Sequence, residues 1–494
     1  MTSREGQKIK AKLLLLFYLL PLTLLLLSGC GAKRTPNLER VFAEARRRTG
    51  KRPIIVIPGI LGSQLVNKDT GEVAWPSAFR VSDNDLRLPI SPDLKANRDN
   101  LVPSKILDTI KLARLVPDVY IYHHLLVALN KYGGYAEGNW DDPAPNGDRD
   151  TFYVFAYDWR RDNVETAHEL IRRVENLKLK LNRPDLKFNI VAHSMGGLVA
   201  RYAAMYGDAD LPVGDAQAVP TWTGAAHINK IFMLGTPNEG SADAFLTLLQ
   251  GYSLTEGLRR RIRLLNKLSR EDALTAPSIF QLMPHSRMVR FLDGNLEPLK
   301  VDLYDPAVWL HYGWAAVSDP KFRKQFENEG EIAEAHAGSG GKLNLLDSYF
   351  AAVLDRAKRF HEALDAQSEG EPPVSLFAFG GDCEETLQSP VILRDEKKER
   401  WITLTEPRGL RLANGRKVSE HEVTLLMYAP GDGRVTRRSL LAETLAESRR
   451  ASTLFNTALP IVYAVFACDL HGELQSNKTL QDNALTALVS EAMK

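Results

Sequence analysis

Apolar, β-branched-rich runs recur along the chain at Pro53–Pro58, Phe152–Tyr157, Phe188–Ala192, Lys230–Leu234, Val374–Phe379 and Ile461–Ala467. They are continuous rather than alternating, as in strands buried on both faces of a sheet. Between several of them the apolar residues recur at helical spacing, over Val164–Leu181, the Ala-rich Leu198–Met205 and the closing Leu480–Met493. Strands alternating with helices predict an α/β chain with a mostly parallel, doubly wound sheet. Two long stretches, near residues 66–150 and 240–372, break the alternation. Irregular or helical, and rich in polar and aromatic residues, they read as a lid and a cap inserted into one domain spanning 52–494.

The start of the chain has a different pattern. Arg4, Lys8, Lys10 and Lys12 precede an uncharged, leucine-rich run from Leu13 to Leu27. As a helix that run is roughly 22 Å long, short of the ~30 Å hydrocarbon core, so it reads as an export signal over 1–29. The signal ends in Leu27-Ser28-Gly29-Cys30, which resembles the lipobox of bacterial lipoproteins. That resemblance implies cleavage before Cys30 and lipidation of its thiol. Residues 30–51 are then expected to tether an exported, membrane-anchored enzyme in the cell envelope. Of the three cysteines, Cys383 and Cys468 remain, and the sequence leaves open whether they pair or stay free.

Composition adds one exclusion. With 63 basic and 61 acidic residues in 494, the chain lacks the concentrated basic excess of a nucleic-acid partner. At 44% hydrophobic it can bury a large core.

The candidate chemistry lies at the ends of the apolar runs. Ala192-His193-Ser194-Met195-Gly196-Gly197 sets a serine between small residues, directly after one strand and before one helix. So tight a turn strains the serine backbone and demands small residues two positions to either side, met here by Ala192 and Gly196. It also lifts the hydroxyl to a helix N-terminus. His193 reads as a packing or hydrogen-bonding neighbour rather than the base. In this arrangement the acid and then the histidine follow the serine along the chain. Of the eleven histidines, His471 alone lies beyond Tyr428–Val435, on a short loop after the Ile461–Ala467 run. Two carboxylates compete for the acid: Asp432 in Gly431-Asp432-Gly433, and Asp382 in Gly380-Gly381-Asp382. Pro58-Gly59-Ile60-Leu61-Gly62-Ser63 leaves the first strand as a glycine-rich loop, so Leu61 and Met195 are the expected backbone donors to an oxyanion.

Several motifs in order now identify a resemblance. Pro58-Gly59-Ile60-Leu61-Gly62-Ser63-Gln64-Leu65, Tyr157-Asp158-Trp159-Arg160, the Ser194 turn, Leu234-Gly235-Thr236-Pro237 with Gly240-Ser241, and Gly431-Asp432-Gly433 before His471 resemble the lecithin:cholesterol acyltransferase family of α/β-hydrolases. The resemblance runs over about residues 52–475. It implies an α/β-hydrolase fold and a serine-acyl mechanism on phospholipid or related esters. It favours Asp432 over Asp382 and places a substrate-covering lid near Trp75. Read from its residues alone, Asp158 and Arg160 form a core ion pair. The chain departs from the family at Ala192, where glycine is usual, and at Arg434, where threonine is. It has no cysteine between 31 and 382, so the lid disulfide of the animal plasma enzyme is missing and its cholesterol specificity does not carry over.

The expected activity is hydrolysis of a membrane-lipid ester, or transfer of its acyl group to an acceptor alcohol, with no cofactor or metal. A carboxylesterase for non-lipid esters and a catalytically silent lipid-binding module are the alternatives.

Overall fold

The structure is a computed structural model that describes residues 35–77, 86–110, 119–214, 216–253, 267–285, 291–328, 341–443, 457 and 459–490. The export signal, Cys30 and the end of the closing helix at Met493 lie outside them.

Seven strands build the central sheet: β1 (Ile54–Ile57), β2 (Ala136–Glu137), β3 (Thr151–Val154), β4 (Phe188–His193), β5 (Ile228–Leu234), β6 (Ser375–Gly381) and β7 (Ile461–Ala467). Their order is β7-β6-β5-β4-β1-β3-β2, and every pairing is parallel. β1 and β4 are buried along their whole length, as the unbroken apolar runs require. Phe155 to Tyr157, read as strand from their apolar character, leave it. The Phe155 N–H still reaches the Val56 carbonyl, but that of Tyr157 donates to Ser63 Oγ at 3.2 Å.

Helices α1 (Asn163–Lys180), α2 (Met195–Tyr206), α3 (Ala242–Gln250), α4 (Gly341–Asp365) and α5 (Lys478–Val489) are the longer ones used below. The side chain of Asp162 caps α1 by accepting from the Val164 N–H. Every residue of α2 is buried, which its run of alanines and glycines permits. Chain direction across the sheet reverses between β1 and β4, so a crevice opens at their carboxyl ends, where open parallel sheets hold their ligands. This is the α/β-hydrolase architecture the sequence led us to expect.

The insertions differ from their reading. The stretch after residue 66, expected to lack strands, helps build a three-stranded antiparallel sheet of 63–67, 73–75 and 101–106. Alternation there is short and bulged, which hides it from periodicity. The 240–372 stretch is largely helical, with short pairs at 252–253/267–268 and 291–292/298–299. Part of the stretch expected to act as a tether is packed, since Leu38 and Phe42 join a core cluster with Leu125, Leu129 and Leu485. Lys51 is fully buried and ion-paired to Asp150 at 2.7 Å.

Candidate active site

Ser194 follows β4 with φ 52° and ψ −124°, and α2 begins at the next residue. That conformation costs a non-glycine residue about 1–3 kcal/mol and persists only where its surroundings enforce it. Here the Ser194 N–H donates to the Leu234 carbonyl at 2.7 Å. The demand for a small residue two positions on is literal, since a Cβ on Gly196 would lie 2.6 Å from the Pro58 oxygen.

His471 opens a short 3-10 turn (His471–Ser476) after β7. Its Nε2 lies 2.9 Å from Ser194 Oγ, and its Nδ1 lies 2.8 Å from Asp432 Oδ2. An imidazole nitrogen against a carboxylate carries the proton, so Nδ1 donates to Asp432 and Nε2 is left to accept from the serine hydroxyl. The backbone reinforces the pairing, because the His471 N–H donates to the Asp432 carbonyl at 2.8 Å. The other carboxylate oxygen, Oδ1, accepts from the N–H groups of Arg434 at 3.0 Å and Val435 at 2.7 Å. Asp432 is 1% exposed, and hydrogen bonds of this kind are what keep a buried carboxylate oriented.

The carboxylate that meets the imidazole is therefore that of Asp432 and not of Asp382. After β6 the chain continues as the strand 384–387, which pairs antiparallel with 428–431 and bridges Glu384 to Asp432. Asp432 thus reaches the carboxyl edge of the sheet by a detour. A Cys383–Cys468 disulfide ties the ends of β6 and β7 together beside it. Arg434 does not disturb the acid: its side chain turns away to Asp243 at 2.7 Å and lies over the Tyr252 ring.

The loop after β1 stands next to Ser194. Leu61 has φ 62°, an unusual backbone for a leucine. Its carbonyl accepts from the Trp75 indole at 2.9 Å, and the Pro58 carbonyl accepts from the Tyr157 hydroxyl at 2.9 Å. Among the described residues, no protein group accepts the N–H of Leu61 or of Met195. Trp75 departs from its reading as a lid residue. It is 1% exposed and packs edge-on against Trp159, so it braces the loop from inside the core. Residues 78–85, where the lid near it was expected to continue, lie outside the described residues.

Three side chains escaped the sequence reading in whole or part. The Tyr122 hydroxyl accepts from the Gly59 N–H at 2.8 Å and, with its one proton, donates to His193 Nδ1 at 2.8 Å. His193 Nε2 must then carry a proton, which it donates to the His471 carbonyl at 3.1 Å. Burial, followed by the neighbouring His471, pushes the His193 pKa down to about 3, so the ring stays neutral. Arg160 pairs with Asp158, as expected. It also grips Asp99 through two bonds of 2.6 and 2.9 Å and the Leu86 carbonyl at 3.2 Å, pinning the first insertion to the core. No signal in the sequence links Tyr122 to residues 63 and 71 positions away.

Residues 107–311 match the family model "Lecithin:cholesterol acyltransferase". The match includes Ser194 but stops short of the Leu61 loop, Asp432 and His471, narrower than the resemblance read from the motifs. No curated protein sequence matches the chain. Among solved structures, the Tle4–Tli4 complex aligns with a TM-score of 0.53 at 15% identity, over 90% of this chain and 100% of that one. The mature lipase BlEst2 of Bacillus licheniformis aligns at 0.32 and 13% identity, over 90% and 93%. EstA of Clostridium botulinum aligns at 0.34 and 10%, over 90% and 88%. The chain has an α/β-hydrolase fold, and across residues 107–311, the stretch that carries the Ser194 turn, it is similar to the lecithin:cholesterol acyltransferase family.

Proposed function

We propose that the chain is a serine-dependent lipid acyl-ester hydrolase or O-acyltransferase working through an acyl-enzyme on Ser194. One observation carries the reading: the unbroken line from Asp432 through His471 to Ser194, with contacts of 2.8 and 2.9 Å. In the first half-reaction the Ser194 hydroxyl attacks the ester carbonyl carbon and His471 Nε2 takes its proton. Asp432 holds the ring in the tautomer that can do so and stabilises the imidazolium that forms. The negative charge on the former carbonyl oxygen is met by the N–H groups of Leu61 and Met195 at the start of α2. Collapse breaks the ester C–O bond, and His471 returns the proton to the departing alcohol. In the second half, water or an acceptor alcohol gives its proton to His471, attacks the acyl carbon and releases Ser194.

The family match supports a lipid ester as substrate. Hydrolysis or transfer is decided by whether water or alcohol reaches the acyl-enzyme first. We also propose export and anchoring through Cys30. The Cys383–Cys468 disulfide is in keeping with an oxidising compartment outside the cytoplasm, and no helix among the described residues is long and apolar enough to cross a membrane.

Labelled phospholipid vesicles and soluble short-chain esters, offered in parallel with and without an added alcohol, test the function. Release of labelled fatty acid or formation of a new ester from vesicles supports it. Turnover of soluble esters alone points to a carboxylesterase, and failure of a fluorophosphonate to label the folded protein points to a silent module. Labelling with radioactive palmitate, abolished by Cys30→Ser, tests the anchor.

A further inference from the structure

A second polar cluster, unused by the reaction above, lies where the cap meets the core. Glu239 sits on the loop after β5, His285 just beyond the helix Pro277–Phe280, and Asp365 at the last turn of α4. His285 Nε2 lies 3.1 Å from Glu239 Oε2 and 3.6 Å from Asp365 Oδ2. One potential ligand atom from each of the three falls within 4.8 Å of the others. The side chains of Glu239 and His285 are at least nine-tenths buried, and that of Asp365 is 22% exposed, which leaves a way in.

Two carboxylates converging on one buried imidazole nitrogen make an uncomfortable arrangement by themselves. A single N–H can satisfy one oxygen, and His285 Nε2 meets neither in hydrogen-bond geometry. Among the described residues Arg201 is a nearby cation, but its guanidinium is directed to the Asn238 side chain at 2.9 Å and the Leu364 carbonyl at 2.7 Å. A cation among them gives His285 Nε2 a partner that both carboxylates can share. Around a tetrahedral ion with N and O ligands at about 2.0–2.1 Å, neighbouring ligand atoms stand roughly 3.3 Å apart. The separations of 3.1 and 3.6 Å bracket that value. His361, on α4 one turn before Asp365, has its ring centre 4.9 Å from that of His285. Its ring is buried, with the Met283 backbone as its one recorded polar neighbour, so it stands beside the cluster as a candidate fourth ligand.

We propose that Glu239, His285 and Asp365, with His361 alongside, bind a divalent transition-metal ion of the zinc class. Nitrogen and oxygen donors with buried imidazole suit zinc, whereas calcium and magnesium take all-oxygen shells. The ion would staple the cap to the loop after β5. That loop is already tightly seated, since a Cβ on Gly240 would lie 2.2 Å from the Met283 oxygen. Gly235, at the start of the same loop, packs against the catalytic ring, where a Cβ would come 2.9 Å from His471 Nδ1. The site is therefore structural, and it holds the wall behind His471.

The test uses the full chain in detergent, stripped with a chelator and then titrated separately with Zn2+ and Ca2+. Metal content is measured by plasma mass spectrometry and stability by thermal melting. We expect about one equivalent of zinc, a melting midpoint raised by several degrees and little calcium. Asp365→Asn, at a part-exposed position, and His361→Asn should each weaken zinc binding at least tenfold while fluorophosphonate labelling of Ser194 shows that the chain still folds. Wild-type protein that takes the probe but gains neither zinc nor thermal stability would overturn the site. So would zinc uptake unchanged in both variants, or calcium retained in preference to zinc.

Discussion

His193 Nε2 lies 3.1 Å from the backbone carbonyl of His471, so the residue before the proposed nucleophile holds the histidine proposed to activate it. With Tyr122 on the other ring nitrogen, the bond closes a chain from the Gly59 N–H to the base. The loop after β1 and His471 are positioned by one buried line of hydrogen bonds.

Removing the middle of that line should separate binding from turnover. Tyr122→Phe leaves the Gly59 N–H and His193 Nδ1 buried without partners, at a cost of about 1–3 kcal/mol in stability. A small misplacement of the loop and of His471 should lower kcat roughly 10–100-fold with little change in KM. Steady-state kinetics on one soluble ester checks this, and a kcat equal to wild type would mean the line has no positioning role.

Acid should loosen the fold through His193. Its pKa, depressed to about 3 by burial and by His471, lies below the ordinary value near 6.5, so between those values the unfolded chain takes up a proton that the native ring refuses. Stability fully present above pH 6.5 is therefore lost as the pH falls toward 3. Two pH units of that window correspond to about 2–3 kcal/mol. Urea melts at pH 7 and pH 4.5 should show this loss in wild type and a clearly smaller one in His193→Asn. Parallel losses in the two proteins would assign the acid sensitivity elsewhere.

The two candidate acids should differ sharply. Asp432→Asn keeps the shape but no longer enforces the Nδ1–H tautomer of His471, and kcat should fall by roughly 10^3–10^4-fold. Asp382→Asn should leave turnover near wild type. The reverse ranking would move the acid to Asp382.

Reduction should act on stability before chemistry. The Cys383–Cys468 bridge spans a separation of 85 residues and both cysteines are exposed, so a reductant can reach it. Its loss is expected to cost about 2–4 kcal/mol, mainly by freeing the unfolded chain. Urea midpoints with and without reductant, repeated on the double Cys383→Ser/Cys468→Ser variant, measure it.

Arg160 anchors the first insertion through Asp99 and the Leu86 carbonyl. Arg160→Met abandons the buried carboxylate of Asp158 and the half-buried one of Asp99, and should destabilise the fold by about 3–5 kcal/mol. A cost below 1 kcal/mol would show that the insertion is held by other contacts.

How much of this the sequence carried follows from how each element is stabilised. β1 and β4 are buried throughout and β5 over most of its length, while β7 is partly exposed but keeps an unbroken apolar run, so all four announce themselves. The Ser194 turn is a local steric demand, which small residues at fixed offsets reveal. His471 follows from chain order and a strand end. Asp432 remained in competition with Asp382 because its place depends on the 384–387/428–431 pairing, two four-residue strands whose partly exposed faces leave no clear period. Strands such as 136–137 and 298–299 are too short to show any period at all. Tyr122, the core position of Trp75 and the Glu239–His285–Asp365 cluster arise from contacts between distant segments, which no local pattern encodes.

The central claim is that an acyl group resides on Ser194 during turnover. Rapid acid quench of the full chain with phospholipid carrying an isotope-labelled acyl chain, followed by proteolysis and peptide mass spectrometry, tests it most directly. The account predicts that the peptide containing Ser194 gains the mass of the labelled acyl group and that Ser194→Ala abolishes both adduct and turnover. Turnover that continues in Ser194→Ala, or an adduct confined to another residue, would contradict it.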